Sequence, residues 1–160
     1  MAAKIRYAGT APVKLPAQDC DPGLWNHVYE KQRLRVVEPC TVVEGRVTSV
    51  APSWDGDLHI DLDPDQKSVL NLVNATHAGG KLVVEIICEH VPNRPDAKAA
   101  CFNFHSLITT PKVNDRVRVT GAYVTDVEHG WREVHPVTRI EILASSSART
   151  SLKTRGGRSQ

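Results

Sequence analysis

The densest group of residues able to do chemistry is the stretch His129-Gly130-Trp131-Arg132-Glu133-Val134-His135-Pro136. Alternate side chains of a β-strand share a face, so Trp131, Glu133 and His135 are predicted to project together. A carboxylate beside an imidazole can act as base and acid or can bind a metal ion, which makes Glu133 and His135 the candidate catalytic residues. Pro136 has no amide proton and favours a sheet edge or a bulge. The alternative is structural: Glu133 and His135 would hydrogen-bond backbone groups where the sheet closes, and Trp131 would be a packing residue.

A second group of polar residues is Asp55-Gly56-Asp57-Leu58-His59, in which Asp57 and His59 share a strand face with Asp61 beyond them. Oxygen ligands suit calcium or magnesium, and an added histidine suits zinc or manganese. If this group and the C-terminal group meet at one end of the domain, they would supply the candidate metal ligands Asp57, His59, Glu133 and His135. The alternative is a solvated strand face beside an Asp-Gly turn.

The elements that must position these residues are mostly strands. Period-two alternation, or a continuous apolar run, marks five segments, near residues 43–49, 58–62, 81–89, 113–126 and 132–143. Residues 24–34 have helical spacing after Asp21-Pro22, and the long connection 90–112 is expected to contain a short helix or a disulfide tether. The pattern predicts a mainly β protein, a small five-stranded OB-fold-like β-barrel with one or two short helices. A β-sandwich is the alternative.

The chain is predicted to consist of an extended lead-in (1–18), the β-barrel domain (19–143) and a disordered basic tail (144–160). The tail carries four of the 20 basic residues and no acid, so the rest of the chain, with all 18 acidic residues, has a small acidic excess. That balance counts against nucleic-acid binding by the folded part, so such binding is only weakly supported, although a basic tail could contact phosphates or dock on a partner. Candidate ligand-binding side chains are Trp54, Tyr123, Trp131 and His129. No apolar run is long enough to span a membrane or to form a signal peptide.

Four cysteines, Cys20, Cys40, Cys88 and Cys101, form no C-x-x-C motif, so a zinc ribbon or a dithiol redox site is poorly supported. They allow three disulfide connectivities, between which the sequence does not choose. They could also be buried free thiols of a cytosolic protein.

The segments DGDLHI, LVVEIIC and NDRVRVTGAYVTDVEHGWREVHPVTRIEI, with WNHVYEKQRL ahead of Cys40, resemble a group of uncharacterised bacterial and archaeal proteins with an OB-like domain. The resemblance covers roughly residues 19–143. Many members look exported, which implies disulfides and an extracellular location if a signal peptide is missing from this sequence; otherwise the protein would be cytoplasmic. The resemblance implies no activity, and it marks Asp57, His59, Glu133 and His135 as positions to test.

The sequence therefore leaves two functional hypotheses. The first is a non-enzymatic binding or accessory module whose ligand is a polysaccharide, a nucleic acid or a protein, because no P-loop, dinucleotide fingerprint or nucleophile motif is present. The second is a metal-dependent hydrolase or nuclease, in which the His/Asp/Glu set holds a divalent metal that activates a water molecule.

Overall fold

The computed structural model describes residues 12–143, and residues 1–11 and 144–160, including the predicted basic tail, lie outside this range. The described chain is mainly β, as predicted. Its six strands belong to one sheet: β1 (Val13–Lys14), β2 (Leu34–Pro52), β3 (Leu58–Pro64), β4 (Leu82–Ile86), β5 (Arg116–Asp126) and β6 (Arg132–Ile142).

Five of these strands form a hydrogen-bonded ring. The order is β2–β3–β4–β6–β5, and β5 pairs again with β2. The ring closes because β2 is long enough to serve two neighbours: residues 45–52 pair with β3, and residues 34–46 pair with β5. The ring pairs are antiparallel except for β4 and β6, which run parallel, with Val83 opposite Glu133. Gly45 lies where β2 pairs with both neighbours, and a side chain there would collide with the backbone carbonyl of Asp63.

Alternate side chains of the ring point inward and form the main apolar core. Val47, Leu62, Leu82, Val84 and Val134 belong to it and are fully buried. Burial of each such side chain contributes roughly 1.5–3 kcal/mol. The core therefore stabilises the ring, and the polar residues of the candidate site lie at one end of it.

The segment between residues 22 and 34 differs from the predicted helix. It begins as expected, since the Asp21 side chain accepts a hydrogen bond from the Gly23 amide at 2.8 Å. It then forms two short 3-10 helices, Pro22–His27 and Lys31–Arg33, instead of one α-helix. Glu30 has a left-handed backbone conformation (φ 49°), which interrupts helical geometry between them.

The described chain has one α-helix, α1 (Leu72–His77), between β3 and β4. Asn71 and Asn74 cap its first turn reciprocally: the side-chain oxygen of each accepts a hydrogen bond from the backbone N–H of the other. The Asn74 side chain also donates to the carbonyls of Lys81 and Arg132 and so connects the helix to the starts of β4 and β6. Within residues 12–143, no helix has the length and apolar character needed to cross a bilayer.

All four cysteines form disulfides, Cys20–Cys40 and Cys88–Cys101. The first joins the segment ahead of the 3-10 helices to β2, and the lead-in itself adds β1 to the sheet through Val13 and Val42. The second ties the end of the β4 segment to the long connection that precedes β5, which also contains the 3-10 turn Pro95–Ala97. This connection was predicted to contain a short helix or a disulfide tether, and it contains both.

Candidate functional site

A cleft of about 230 Å³ opens at one end of the ring. Its walls are the β2–β3 loop (residues 53–57), the β5–β6 loop (residues 127–131) and residues 29–33. Trp54 lies on the first of these loops and Trp131 on the second. Five carboxylates also line the cleft: Glu30, Asp55, Glu85, Glu128 and Glu133. We refer to this space as the cleft.

The β2–β3 loop has one conformation that turns Asp57 inward. The Ser53 amide donates to the Asp57 carbonyl at 2.8 Å, and the Asp55 side chain accepts from the Asp57 amide at 3.2 Å. Gly56 allows the turn because its φ is +98°, and a Cβ there would lie 2.7 Å from the His90 carbonyl oxygen. As a result the Asp57 side chain is almost completely buried, at 2% exposure.

Beneath the cleft, the two polar groups predicted from the sequence meet. His135 Nδ1 lies 3.2 Å from a carboxylate oxygen of Glu133 and 3.2 Å from one of Glu85, and His135 Nε2 lies 3.6 Å from Asp57 Oδ2. His59 joins through Glu85, whose other oxygen is 3.2 Å from His59 Nδ1. We call Asp57, His59, Glu85, Glu133 and His135 the carboxylate–histidine cluster.

Glu85 is the member of the cluster that was not among the predicted site residues. It contacts both histidines, and it is the central residue through which His59 and His135 are connected. The one signal for it in the sequence is its position as a lone charge within the apolar run LVVEIIC. A buried charge in such a run needs a partner, and here it has two.

The carboxylates and histidines of the cluster shift one another's protonation. Burial raises the pKa of Asp57 to about 7, against the opposing charge of His135. The hydrogen bond to Glu85 raises the pKa of His59 to about 9, although burial opposes this. Burial lowers the pKa of His135, but the Glu85, Glu133 and Asp57 carboxylates outweigh it, so the net shift is upward. The pKa of Glu85 is lowered because His135 and His59 outweigh the effect of its own burial.

A buried ion pair holds the β5–β6 loop. Arg33 donates to Asp126, and both side chains are buried. Asp126 also accepts hydrogen bonds from the Glu128 amide at 2.9 Å and from His129 Nδ1 at 2.7 Å. The His129 ring then stacks on Trp131, with the centroids 4.3 Å apart. The position of Trp131 at the cleft therefore depends on Asp126, whose role the sequence did not indicate.

The four aromatic and imidazole side chains predicted to bind a ligand are placed differently. Trp54, His129 and Trp131 line the cleft. Tyr123 is instead a core residue, 4% exposed, whose hydroxyl donates to the Val69 carbonyl at 2.6 Å. Tyr123 points inward because it lies on β5 in phase with the buried core positions.

The Trp54 wall has further ring contacts. The Arg94 guanidinium lies 4.4 Å from the centre of the Trp54 ring, and Tyr29 meets that ring edge-on at 5.5 Å. On the other wall, the Trp131 indole N–H donates to a Glu133 oxygen at 2.6 Å. Both indoles are therefore held by neighbours while still lining the cleft.

No known protein family matches the chain, and no protein of curated function matches it in sequence.

Proposed function

We propose that the protein is a non-enzymatic binding module of the OB type, and that the cleft binds a sugar unit of a polysaccharide. The observation that carries the proposal is the position of the cleft between the β2–β3 and β5–β6 loops. OB folds bind oligonucleotides and oligosaccharides between the loops that follow their first and fourth strands, over the face of strands two and three. The strand order of the ring, with β2 as first strand, supports that equivalence, as does the resemblance of residues 19–143 to proteins with an OB-like domain.

The charge of the cleft favours a saccharide over a nucleic acid. Asp55, Glu85 and Glu133 lie in it. Its cations are already paired: Arg33 contacts Asp126, and His59, whose pKa is raised to about 9, contacts Glu85 and Asp61. Phosphates would be repelled, because single-strand binders combine aromatic stacking with a positively charged groove. Hydroxyl groups would instead find carboxylate oxygens, which accept hydrogen bonds.

The two indoles supply the apolar part of such a site. Trp54 remains 45% exposed at the cleft, despite its contacts with Arg94 and Tyr29. Indole faces are large apolar surfaces with a polar edge and pack against the C–H faces of sugar rings. The cleft, at about 230 Å³, is smaller than the roughly 300–1,000 Å³ of pockets that enclose a drug-sized ligand. It would therefore hold one sugar unit and leave the rest of the chain outside.

The proposal is tested by titrating the protein with neutral oligosaccharides (glucans, xylans and chitin fragments) and, separately, with single-stranded DNA, following tryptophan fluorescence and heat. We expect one oligosaccharide class to bind, and Trp131→Ala to weaken its binding at least tenfold. The matched control is Phe102→Ala, an exposed aromatic residue that does not line the cleft. Binding of DNA in preference to every saccharide, or saccharide binding that Trp131→Ala leaves unchanged, would contradict the proposal.

A metal-dependent hydrolase or nuclease is the second candidate. It is favoured by Glu85 and Glu133, which line the cleft and also contact His135. It is disfavoured by the burial of Asp57 and His135 at 2% and 0% exposure, which leaves a substrate no direct approach to them. Hydrolysis of an activated phosphodiester in the presence of Zn²⁺ or Mn²⁺, lost in Glu133→Gln, would favour the hydrolase over the binding module.

A further inference from the structure

Beneath the cleft, three buried side chains bring ligand-type atoms close together. One such atom from each of Asp57, Glu85 and His135 lies within 4.8 Å of the other two. We propose that these side chains form a site for one divalent metal ion of the zinc or manganese class. This inference goes beyond the proposed function, because the ion would be held whether or not the cleft binds a sugar.

Two buried atoms at this position lack hydrogen bonds. Within the described chain, Asp57 Oδ2 and His135 Nε2 have no hydrogen-bond partner. A buried donor or acceptor that has lost water and found no partner destabilises the folded state. The two atoms are 3.6 Å apart, too far for a direct hydrogen bond. Two ligand atoms at about 2.1 Å from one ion, with an angle of about 118° between the bonds, would be separated by that distance.

Both proposed ligand side chains are also oriented by partners that contact their other polar atom. Asp57 uses Oδ1 to accept the Cys88 amide at 2.9 Å, which leaves Oδ2 for the ion. His135 has an oxygen of Glu133 and an oxygen of Glu85 each 3.2 Å from Nδ1, which leaves Nε2 facing Asp57. Metal-bound histidines almost always present their second ring nitrogen to a carboxylate, a carbonyl or water in this way. Glu85 is the third side chain of the group and would complete the set by turning an oxygen from Nδ1 towards the ion. Because it lines the cleft, it lies on the route from solvent.

The balance of buried charge also favours a cation at this end of the ring. Within residues 12–143, Arg33 is the one buried side chain with a permanent positive charge. Five carboxylates are buried in the same range: Asp55, Asp57, Glu85, Asp126 and Glu133. Arg33 is paired with Asp126, and His59 contacts Glu85 and Asp61, so the further positive charge that the remaining acids need must come from a metal ion or from a proton on His135. One imidazole with two carboxylates is a donor set for zinc or manganese, whereas calcium takes oxygen ligands alone. The rival occupant is a proton on His135, which would require no metal.

The experiment uses the full chain, purified without reducing agent so that both disulfides stay intact, and dialysed against chelator. The probe is Zn²⁺ and, separately, Mn²⁺, measured by calorimetric titration and by elemental analysis after desalting. We expect about one equivalent of metal. Asp57→Asn should weaken binding more than about 100-fold, beyond the 10–100-fold typical of a lost outer partner. Its amide oxygen can still accept from the Cys88 N–H, so folding should be retained.

The matched control is Asp61→Asn, which removes a carboxylate that contacts His59 Nε2 at 3.2 Å but is not one of the three ligands. It should bind metal as the wild type does. A thiol assay on the same sample shows that no cysteine sulfur is available to take up zinc. The proposal is overturned if the wild-type protein takes up neither metal, or if Asp57→Asn and His135→Gln bind as tightly as wild type.

A readout that needs no variant keeps the test decisive if these variants fail to fold. In the wild-type protein, the ¹⁵N resonances of the His135 ring should respond to one equivalent of Zn²⁺ at Nε2. Metal uptake without a change at His135 would place the ion elsewhere, for example at Asp126, His129 and Glu133, and would also overturn the proposal. Neither measurement involves a saccharide, so failure of the metal site and failure of the sugar-binding proposal can be told apart.

Discussion

Replacing Arg33 with methionine should destabilise the protein strongly, because it leaves a buried carboxylate without its cation. The change keeps most of the length of the side chain and removes the guanidinium that pairs with Asp126. Asp126 has no exposed side-chain surface, and breaking a buried pair from one side typically costs 3–5 kcal/mol. Asp126 would keep its hydrogen bonds from the Glu128 amide and from His129, so we expect the lower end, about 3 kcal/mol.

The measurement is the urea-induced unfolding of oxidised protein at pH 7, with thermal melting as a second probe. For a domain of this size, about 3 kcal/mol corresponds to a melting temperature lower by on the order of 10 °C. The matched control is Arg116→Met, which breaks an ion pair with Asp65 whose side chains are 34% and 51% exposed. Exposed pairs contribute at most about 1 kcal/mol.

A double-mutant cycle decides whether the pairing itself is responsible. Asp126→Asn should also destabilise, and Arg33→Met combined with Asp126→Asn should cost clearly less than the sum of the single variants, because neither charge is then left buried alone. Costs that simply add, or an Arg33→Met variant no less stable than Arg116→Met, would refute the assignment of a buried ion pair at the base of the β5–β6 loop.

Three further predictions concern stability. The folded-state pKa of Asp126 is lowered, since the His129 and Arg33 contacts outweigh its burial. The ionised carboxylate therefore stabilises the folded state above about pH 4, the unfolded pKa, and this stabilisation is lost as the pH falls through the lower folded pKa. The difference in urea midpoint between the wild type and Asp126→Asn should accordingly shrink in acid. Replacing Cys20 and Cys40 together by alanine should cost about 3 kcal/mol by the chain-entropy estimate for a 20-residue separation, and an unchanged urea midpoint would contradict this. Tyr123→Phe should cost about 1–3 kcal/mol in the same assay, because it leaves the buried Val69 carbonyl without its donor; no loss would show that the carbonyl finds another partner.

The strands that could be predicted are those in which apolar and polar residues alternate without interruption. Residues 58–62 alternate strictly, and β3 runs from Leu58 to Pro64. The extent of β2 could not be predicted, because Glu38-Pro39 interrupts the alternation and the strand passes this point through irregular pairing with β5. The 3-10 geometry of residues 22–33 was also missed, since a spacing of three or four residues fits both helix types and the left-handed Glu30 carries no sequence signal of its own.

The candidate site was predictable in its parts but not in its assembly. Trp131, Glu133 and His135 share a face because of strand periodicity alone, and the contacts of Glu133 with both neighbours confirm it. The contact between Asp57 and His135 needs β6 to run beside β4, a non-local pairing that no pattern of residues specifies. Arg33 could not be identified for the same reason, because its partner Asp126 is 93 residues away in the chain.

Glu133 connects the two proposals physically. One of its oxygens accepts the Trp131 indole N–H at 2.6 Å, and the other lies 3.2 Å from His135 Nδ1. A ligand that packs on Trp131 therefore acts on the same carboxylate that orients the histidine of the proposed metal site. Coupling of this kind is reciprocal: any factor by which bound Zn²⁺ changes the affinity for a saccharide must equal the factor by which the saccharide changes the affinity for Zn²⁺. In Glu133→Gln the connection is altered at its centre while Trp131 and His135 are retained, so the two binding events should become more nearly independent there than in the wild-type protein.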